Sequence, residues 1–223
     1  MKPSTRSQKA RLLLVEDHPV TREGFAQLLN FEDDLQVCGQ AGTAAEALQV
    51  LESVKPDLLV ADISLVGRSG LDLIKDLASQ YPALPVLVLS THDETTYAGR
   101  ALRAGAKGYI MKSESTERIL GAIRHVLAGK TYLSERMKDR LASTFTHPRP
   151  AADLSDIGLL SHRELEVFQL MGQGHSTARI AATLHVSPST VATHRAHIQA
   201  KLNLKTLTEL VCRAAQWVHT ERP

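Results

Sequence analysis

Short aliphatic runs alternate with amphipathic stretches up to about residue 130, and this alternation is the feature that most constrains the fold of the chain. The clearest runs cover residues 12–15, 58–61 and 86–89, and weaker ones cover 35–38 and 109–111. Such short apolar runs are typical of buried strands. Strands that alternate with helices pair in parallel, because right-handed crossovers place the helices on both faces of the sheet. The pattern predicts a doubly wound α/β domain with a five-stranded parallel sheet.

The stretches between these runs carry apolar residues at helical spacing. In the first stretch, Val20, Phe25, Leu28 and Leu29 are predicted to form a stripe that faces the core. Comparable stripes recur in the following stretches, so each strand is expected to be followed by a helix that covers the sheet.

The pattern changes after residue 130. Residues 134–145 are compatible with one further helix, and the stretch THPRPAAD that follows has the composition of a linker. From residue 161 onward, four helical stretches replace the strand-type runs, at 161–173, 176–184, 188–202 and 206–219. They have the outline of a helix-turn-helix. The predicted organisation is a disordered basic tail over 1–10, the α/β domain over 11–130, a partly helical linker over 131–157 and an all-α four-helix domain over 158–223.

Charge is divided unevenly between the two predicted domains. Residues 11–130 hold 16 acidic and 12 basic side chains, whereas residues 155–223 hold 5 and 7, together with six of the ten histidines. An acidic domain joined to a weakly basic one predicts different partners for each. The aliphatic runs fall far short of the ~20 apolar residues of a membrane span, and Glu16 and Asp17 interrupt the apolar stretch that a signal peptide would need. A cytoplasmic protein with no membrane partner is expected.

Polar residues follow the predicted strands at the points where each strand ends. Glu16 and Asp17 follow the first run, Asp62 the third, Ser90 the fourth and Lys112 the fifth. Ligands of a doubly wound sheet bind beyond the carboxyl ends of its strands, so these side chains are expected to share one site. Three converging carboxylates repel one another, and a hard cation such as Mg2+ relieves that repulsion. Each residue alone has an ordinary structural explanation, but together they predict a metal-binding acidic pocket.

The segments LLLVEDHP, PDLLVADISLVGRSGLDLI, VLVLSTHDE and AGAKGYIMK resemble the receiver domain of two-component response regulators, which has a flavodoxin-like fold. The resemblance covers residues 11–130 and implies that Asp62 is the phosphoacceptor. It also implies that Asp17, Asp62 and the backbone carbonyl of Ser64 ligate Mg2+, while Glu16 helps to hold a metal-bound water.

The same resemblance implies roles for the remaining polar residues. Lys112 would contact a phosphoryl oxygen, and Ser90 and Tyr109 would form a switch pair, in which the hydroxyl moves toward the phosphoryl group and the ring turns inward. One departure is visible, because Val66 stands where the family usually has proline. Loss of proline leaves that loop freer to move without removing a reacting group.

The segment LSHRELEVFQLMGQGHSTARIAATLHVSPSTVATHRAHIQAKLNLKTLTEL is similar to the LuxR-type four-helix DNA-binding domain over residues 160–210. A receiver joined to this domain defines the NarL/FixJ class. Val191, Ile198 and Leu202 are predicted to face the core, which turns the opposite face of their helix toward the major groove. The candidates for phosphate contacts are Thr190, Arg195, Lys201 and Lys205, those for base edges are Ala192, Thr193 and His197, and Ser189 and His194 complete the DNA-binding set.

A second departure affects this predicted recognition helix. Position 192, usually lysine in the family, is Ala192 here, so the domain is expected to neutralise few phosphates. Binding to double-stranded DNA would then require a dimer on a two-fold-related operator. The resemblance implies a transcriptional regulator, not an enzyme, in which a sensor histidine kinase phosphorylates Asp62 in the presence of Mg2+ and thereby promotes dimerisation.

Two other functions are compatible with parts of the sequence. A phosphatase of the haloacid dehalogenase type also forms a phosphoaspartate, but it needs an Asp-x-Asp pair after its first strand, where this chain has Glu16-Asp17-His18. A phosphorylation-independent DNA-binding or scaffold protein with a vestigial receiver is the other alternative, and the presence of Asp62, Ser90 and Lys112 argues against it.

Overall fold

The computed structural model describes residues 9–139 and 157–221, which belong to two compact units. The predicted tail and linker fall largely on residues 1–8 and 140–156, which lie outside the described residues. At the ends that are described, the first strand already includes Ala10, and residues 131–139 belong to the first unit.

The first unit contains a five-stranded sheet in which every neighbouring pair is parallel. Its strands are β1 (Ala10–Val15), β2 (Leu35–Ala41), β3 (Leu58–Ala61), β4 (Val86–Ser90) and β5 (Gly108–Met111). Their order across the sheet is β2-β1-β3-β4-β5. The predicted doubly wound α/β fold is confirmed, and β3, which carries the predicted phosphoacceptor at its end, lies in the middle of the sheet with all its residues buried.

Helices connect these strands as the apolar spacing predicts. They are α1 (Pro19–Phe31), α2 (Ala44–Val54), α3 (Gly70–Gln80), α4 (Glu94–Ala104) and α5 (Thr116–Leu127). A further helix, α6, is described over residues 135–139, and the rest of the helix predicted at 134–145 lies outside the described residues.

The prediction for Val20 is wrong. Val20 is 88% exposed, whereas Leu29 of the same helix is buried. At about 100° per residue, nine residues place Val20 half a turn away from Leu29, on the opposite face of α1. Phe25 and Leu28 are partly buried against the core, as expected.

The described part of the second unit is helical, as predicted. After a 3-10 turn at Ile157–Leu159 come α7 (His162–Gly172), α8 (Thr177–Thr183), α9 (Pro188–Lys201) and α10 (Leu207–Glu221). Ser187 caps α9 through the N–H of Thr190, and Asn203 adopts a left-handed conformation just beyond its end. Val191 and Ile198 are fully buried, which turns the predicted recognition face outward.

Gly70 allows the loop after β3 to fold tightly against the start of α3. Its N–H donates to the carbonyl of Ile63 at 2.9 Å. A Cβ on residue 70 would lie 2.1 Å from the backbone oxygen of Asp62 and 2.7 Å from the Cα of Ile63. Both contacts are with backbone atoms, so only glycine fits unless the loop that carries Asp62 moves.

We expect Gly70→Ala to reduce the stability of the first unit by about 1–3 kcal/mol, because the added methyl group overpacks a backbone contact. Gly121→Ala is the matched control, since nothing lies within 4 Å of the new Cβ on the α5 surface, and alanine favours a helix by about 0.5–1 kcal/mol. Native-state hydrogen exchange at the amides of β1 and β3 measures both changes. Equal protection of these amides from exchange in the two variants would contradict the conclusion that a Cβ at position 70 overpacks the loop.

Candidate functional site

The sheet register brings the predicted pocket residues to one edge. Val15 is paired with Ala61, so the residues that follow them, Glu16 and Asp62, leave their strands side by side. The N–H of Asp62 donates to the carbonyl of Val15 at 2.9 Å, which extends the ladder through the acidic residue itself. In the same way, the N–H of Lys112 donates to the carbonyl of Ser90 at 2.8 Å. Backbone hydrogen bonds therefore fix the positions from which these side chains extend.

The ammonium of Lys112 lies between two buried carboxylates. Its Nζ is 2.6 Å from Oδ2 of Asp62, and it also donates to Oε2 of Glu16. Both carboxylate side chains are only 3% exposed. Burial lowers the pKa of Lys112, but the carboxylates of Asp62 and Glu16 outweigh this effect, so its pKa lies above the ordinary value. Lys112 is a fixed positive charge at the centre of the pocket.

The other carboxylate oxygen of Asp62 accepts two further hydrogen bonds. The hydroxyl of Ser90, which is fully buried, donates to Oδ1 at 2.9 Å, and the N–H of Ser64 donates to the same atom at 3.1 Å. Both oxygens of Asp62 are thus oriented by donors. These contacts bring together Asp62, Ser64, Ser90 and Lys112, as expected if they share one site.

Tyr109 is fully buried, and its ring occupies an inward position. Its hydroxyl donates to the carbonyl of His92 at 2.8 Å, and burial raises its pKa above the usual range. The ring of His92 in turn lies 2.6 Å, Nε2 to Oγ, from the hydroxyl of Ser64. His92 thus joins the loops after β3 and β4 above Asp62. The sequence analysis missed His92, although its position two residues beyond a strand end was an available signal.

Asp17 carries the feature that best fits a metal. Its Oδ1 is buried and has no hydrogen-bond partner among the described residues, although Nδ1 of His18 approaches to 2.8 Å without hydrogen-bond alignment. Ligand atoms of Glu16, Asp17 and His18 lie within 4.8 Å of one another. An unsatisfied buried carboxylate oxygen is costly unless a cation compensates it. Carboxylate oxygens at this edge therefore fit a hard divalent ion such as Mg2+.

Four of the nine predicted DNA-binding residues lie on one exposed face of α9. Ser189, Ala192, Thr193 and His197 are exposed along α9, and Lys205 is exposed just beyond its end. The buried residues Val191 and Ile198 lie on the opposite side of α9, because residues on one face of a helix recur every three or four positions.

Other members of the predicted set are partly buried or already bonded. Thr190 and His194 are partly buried, and Nη1 of Arg195 donates to the hydroxyl of Thr177 on α8 at 3.0 Å. Nζ of Lys201 lies 2.6 Å from Oε2 of Glu164 on α7. Arg195 and Lys201, predicted as phosphate contacts, are thus directed toward neighbouring helices.

Glu164 is a functional candidate that the sequence analysis did not single out. It is 4% exposed, and it accepts hydrogen bonds from Lys201 and from the N–H of Ser161. Burial opposes ionisation of Glu164, but these donors lower its pKa below the ordinary value. The Ser-x-x-Glu capping box at the start of α7 was the signal that could have found it. Glu164 anchors the end of α9 to α7.

A buried aspartate, a lysine and a hydroxyl at the carboxyl edge of a parallel sheet, together with a separate helical unit, fit a signalling regulator with a DNA-binding domain. Two family models agree with this class. Residues 12–124 match the response regulator receiver domain, and residues 158–214 match bacterial regulatory proteins of the luxR family. The chain therefore belongs to the response regulators with a LuxR-type DNA-binding domain.

Individual relatives support the same classification. The oxygen regulatory protein NreC of Staphylococcus haemolyticus is 37% identical over 205 residues, which cover 90% of this chain and 94% of that protein. The crystal structure of the response regulator ChrA of a heme-sensing two-component system is 31% identical, covers 95% of this chain and 98% of its own, and has a TM-score of 0.52. A LuxR-family response regulator from Aurantimonas sp. SI85-9A1 is 30% identical over 63% of this chain and 100% of its own, with a TM-score of 0.59.

Within the described residues, the structure contains no helix that is both long and apolar enough to cross a membrane.

The second unit is expected to lose stability as the pH falls below about 6.5. Burial, with a smaller contribution from the cation of Arg163, lowers the pKa of His194. Folded His194 therefore binds a proton less readily than unfolded His194, so stability is complete above the unfolded pKa of about 6.5 and declines as pH falls toward the folded pKa.

Trp217 is the single tryptophan of the chain, and the centroid of its ring lies 5.8 Å from that of Phe168. Its fluorescence therefore reports unfolding of the second unit. In the wild type, the urea concentration at the midpoint of unfolding should decrease between pH 7.5 and pH 5.5. The decrease should be smaller in His194→Gln. An equal decrease in both proteins would contradict the assignment to His194.

Proposed function

We propose that the chain is a phosphorylation-dependent transcriptional regulator, in which Asp62 accepts a phosphoryl group from a sensor histidine kinase. The observation that carries the proposal is the contact between the buried carboxylate of Asp62 and the ammonium of Lys112, at 2.6 Å. Asp62 lies at the carboxyl edge of the sheet, where ligands of doubly wound folds bind, and a fixed cation beside it suits a reaction that depends on positioning and charge neutralisation.

The transfer step uses Asp62 as the nucleophile. A carboxylate oxygen of Asp62 attacks the phosphorus of the kinase phosphohistidine, a P–O bond forms, and the P–N bond breaks with its electron pair going to the imidazole nitrogen. The kinase histidine leaves as neutral imidazole, because its other ring nitrogen carries a proton taken from the solvent. The Nζ of Lys112, already positioned at 2.6 Å from Oδ2, would neutralise one of the phosphoryl oxygens. No proton needs to leave Asp62, because the carboxylate is the reacting form.

Glu16, Asp17, Asp62 and the backbone carbonyl of Ser64 would hold Mg2+, which when bound supplies further positive charge for the phosphoryl oxygens. The buried, unsatisfied Oδ1 of Asp17 supports this assignment. His18, whose side chain is 65% exposed, lies at the solvent side of the same carboxylates.

The hydroxyl of Ser90 would report the new group to the rest of the domain. It donates to Oδ1 of Asp62, and after phosphorylation it would turn toward a phosphoryl oxygen. Tyr109 is already inward and holds the carbonyl of His92, so the proposed rearrangement starts at Ser90 and the loop after β4. The modified state would favour a homodimer, because a ligand shifts an equilibrium through its different affinities for two states.

The exposed face of α9 is the proposed reader of double-stranded DNA. Ala192 and Thr193 are exposed on this face and would meet base edges, as would His197, whose Nδ1 lies 3.8 Å from Oε1 of Glu164. Lys205 is exposed and would contact a phosphate. The face has few cations, so one copy would bind weakly, and a dimer on a two-fold-related operator would supply the missing affinity. A DNA partner implies action in the cytoplasm.

The function proposed is regulation rather than enzymatic turnover. The dehalogenase-type alternative needs a second aspartate two residues beyond its nucleophile, and Ser64 occupies that place after Asp62. A vestigial receiver would not need both oxygens of Asp62 to be held by Lys112 and Ser90.

Asp62→Asn should abolish the response to acetyl phosphate and Mg2+, because the amide is a poor nucleophile for phosphorus. The wild type should shift to a larger apparent mass in size-exclusion chromatography. Asp72→Asn on the exposed surface of α3 removes a carboxylate that only approaches Lys75 at 3.8 Å, and it should respond like the wild type. A wild type that becomes phosphorylated and keeps its elution volume would favour the scaffold alternative.

Lys201 and Lys205 are expected to affect DNA binding differently. No described residue forms an ion pair with the exposed Lys205, so Lys205→Met should reduce the slope of log affinity against log salt by about 0.9. Lys201→Met removes the partner of Glu164, and it should reduce affinity through displacement of α9 with little change in slope. Fluorescence anisotropy at several salt concentrations measures both effects. An equal loss of slope would mean that Lys201 also contacts a phosphate.

A further inference from the structure

The segment that follows α5 is joined to the edge of the sheet. The N–H of Tyr132 donates to the carbonyl of Lys107 at 2.9 Å, and the N–H of Tyr109 donates to the carbonyl of Tyr132 at 3.2 Å. These bonds form a parallel bridge between Tyr132 and Gly108 of β5. We call residues 132–137 the linker start, because the predicted linker begins here.

Glycine at position 108 permits this contact. A Cβ on residue 108 would lie 3.0 Å from both the Cβ and the backbone oxygen of Tyr132, and 2.9 Å from the side chain of Leu87. A larger residue would force the linker start away from β5. The pairing therefore depends on a close backbone approach at the strand that carries Tyr109.

A side-chain contact joins the linker start to α4 as well. The hydroxyl of Ser134 donates to Oε1 of Glu94 at 2.7 Å, and Glu94 is 8% exposed. The same hydroxyl accepts from the N–H of Met137 at 3.1 Å, which caps the first turn of α6. One hydroxyl thus connects the first residue of α4 to the first turn of α6.

Both connections lead back to the proposed phosphoacceptor. Glu94 comes two residues after His92, whose carbonyl accepts from the hydroxyl of Tyr109 at 2.8 Å. The N–H of His92 approaches Oγ of Ser90 at 3.4 Å, and Ser90 donates to Asp62. Tyr109 therefore holds the loop after β4 with its side chain and the linker start with its backbone.

We infer that the Glu94–Ser134 hydrogen bond transmits phosphorylation of Asp62 to the linker start, which the Tyr109–Tyr132 pairing holds against β5, so that Glu94 and Ser134 are positioning residues for regulation. The inference rests on the proposed function, since it names the contact through which the phosphorylated loop acts. Movement of Ser90 toward a phosphoryl oxygen displaces the loop after β4. Because Glu94 begins the helix after that loop, its contact with Ser134 changes and the first turn of α6 loses or gains protection.

Hydrogen exchange of the full chain with and without beryllofluoride and Mg2+ tests this coupling. We expect exchange across residues 132–139 of the wild type to change at least about fivefold. In Glu94→Met the hydroxyl of Ser134 keeps its bond to the N–H of Met137 but loses its carboxylate partner. If Ser134 only caps α6, the change in exchange on addition of beryllofluoride remains in Glu94→Met. If Glu94 couples the loop to the linker start, that change is lost. Ser134→Ala should lose it as well, and Ser134→Thr, which keeps a hydroxyl, should restore it.

Fluorine NMR of bound beryllofluoride shows separately whether each protein takes up the phosphoryl mimic, and uptake should be unchanged in the variants. Lys138→Met is the matched control, because it removes an exposed ion pair with Glu135 from the same helix. A wild type that binds the mimic without a change at residues 132–139, or a Glu94→Met variant that responds like the wild type, overturns the inference and leaves the proposed function standing. A wild type that takes up neither the mimic nor a phosphoryl group overturns both.

Discussion

The ion pairs of Lys112 with Asp62 and Glu16 are the contacts on which the acidic pocket depends. Two buried carboxylates that leave adjacent strands side by side repel each other, and a cation between them compensates that repulsion. Lys112 follows β5, whereas Glu16 and Asp62 follow β1 and β3, so its side chain spans the end of β4. The strand order therefore decides which cation can reach the carboxylates, and the long lysine side chain suits that distance.

The second unit satisfies the same physical requirement with different residues. Glu164 is a buried carboxylate, and Lys201 from the predicted recognition helix compensates it at 2.6 Å. This ion pair fixes α9 against α7 and places one of the few cations of the predicted recognition helix beside a carboxylate.

The strands and the pocket residues could be predicted from the sequence because both depend on local features. A buried strand is a short apolar run, and the polar residue after it must lie at the carboxyl edge. The contacts that were missed join residues far apart in the chain, as Ser64 does with His92, Ser134 with Glu94 and Lys201 with Glu164, at separations of 28, 40 and 37 residues. The error at Val20 came from including it in the apolar stripe, although nine residues at about 100° each place it half a turn from Leu29.

Phosphorylation would add negative charge to a pocket that already holds more carboxylates than cations. Such a group carries roughly −1.5 to −2 charges at neutral pH, so the pocket must rearrange or bind more cation. The N–H groups of Asp62 and Lys112 are held by the carbonyls of Val15 and Ser90, which limits how far either residue can move. The hydroxyl of Ser90 needs only a side-chain rotation to leave Oδ1 of Asp62. A change of charge in the rigid part of the site would therefore be relieved at Ser90 and in the loop after β4, which is the side of the pocket that continues into α4.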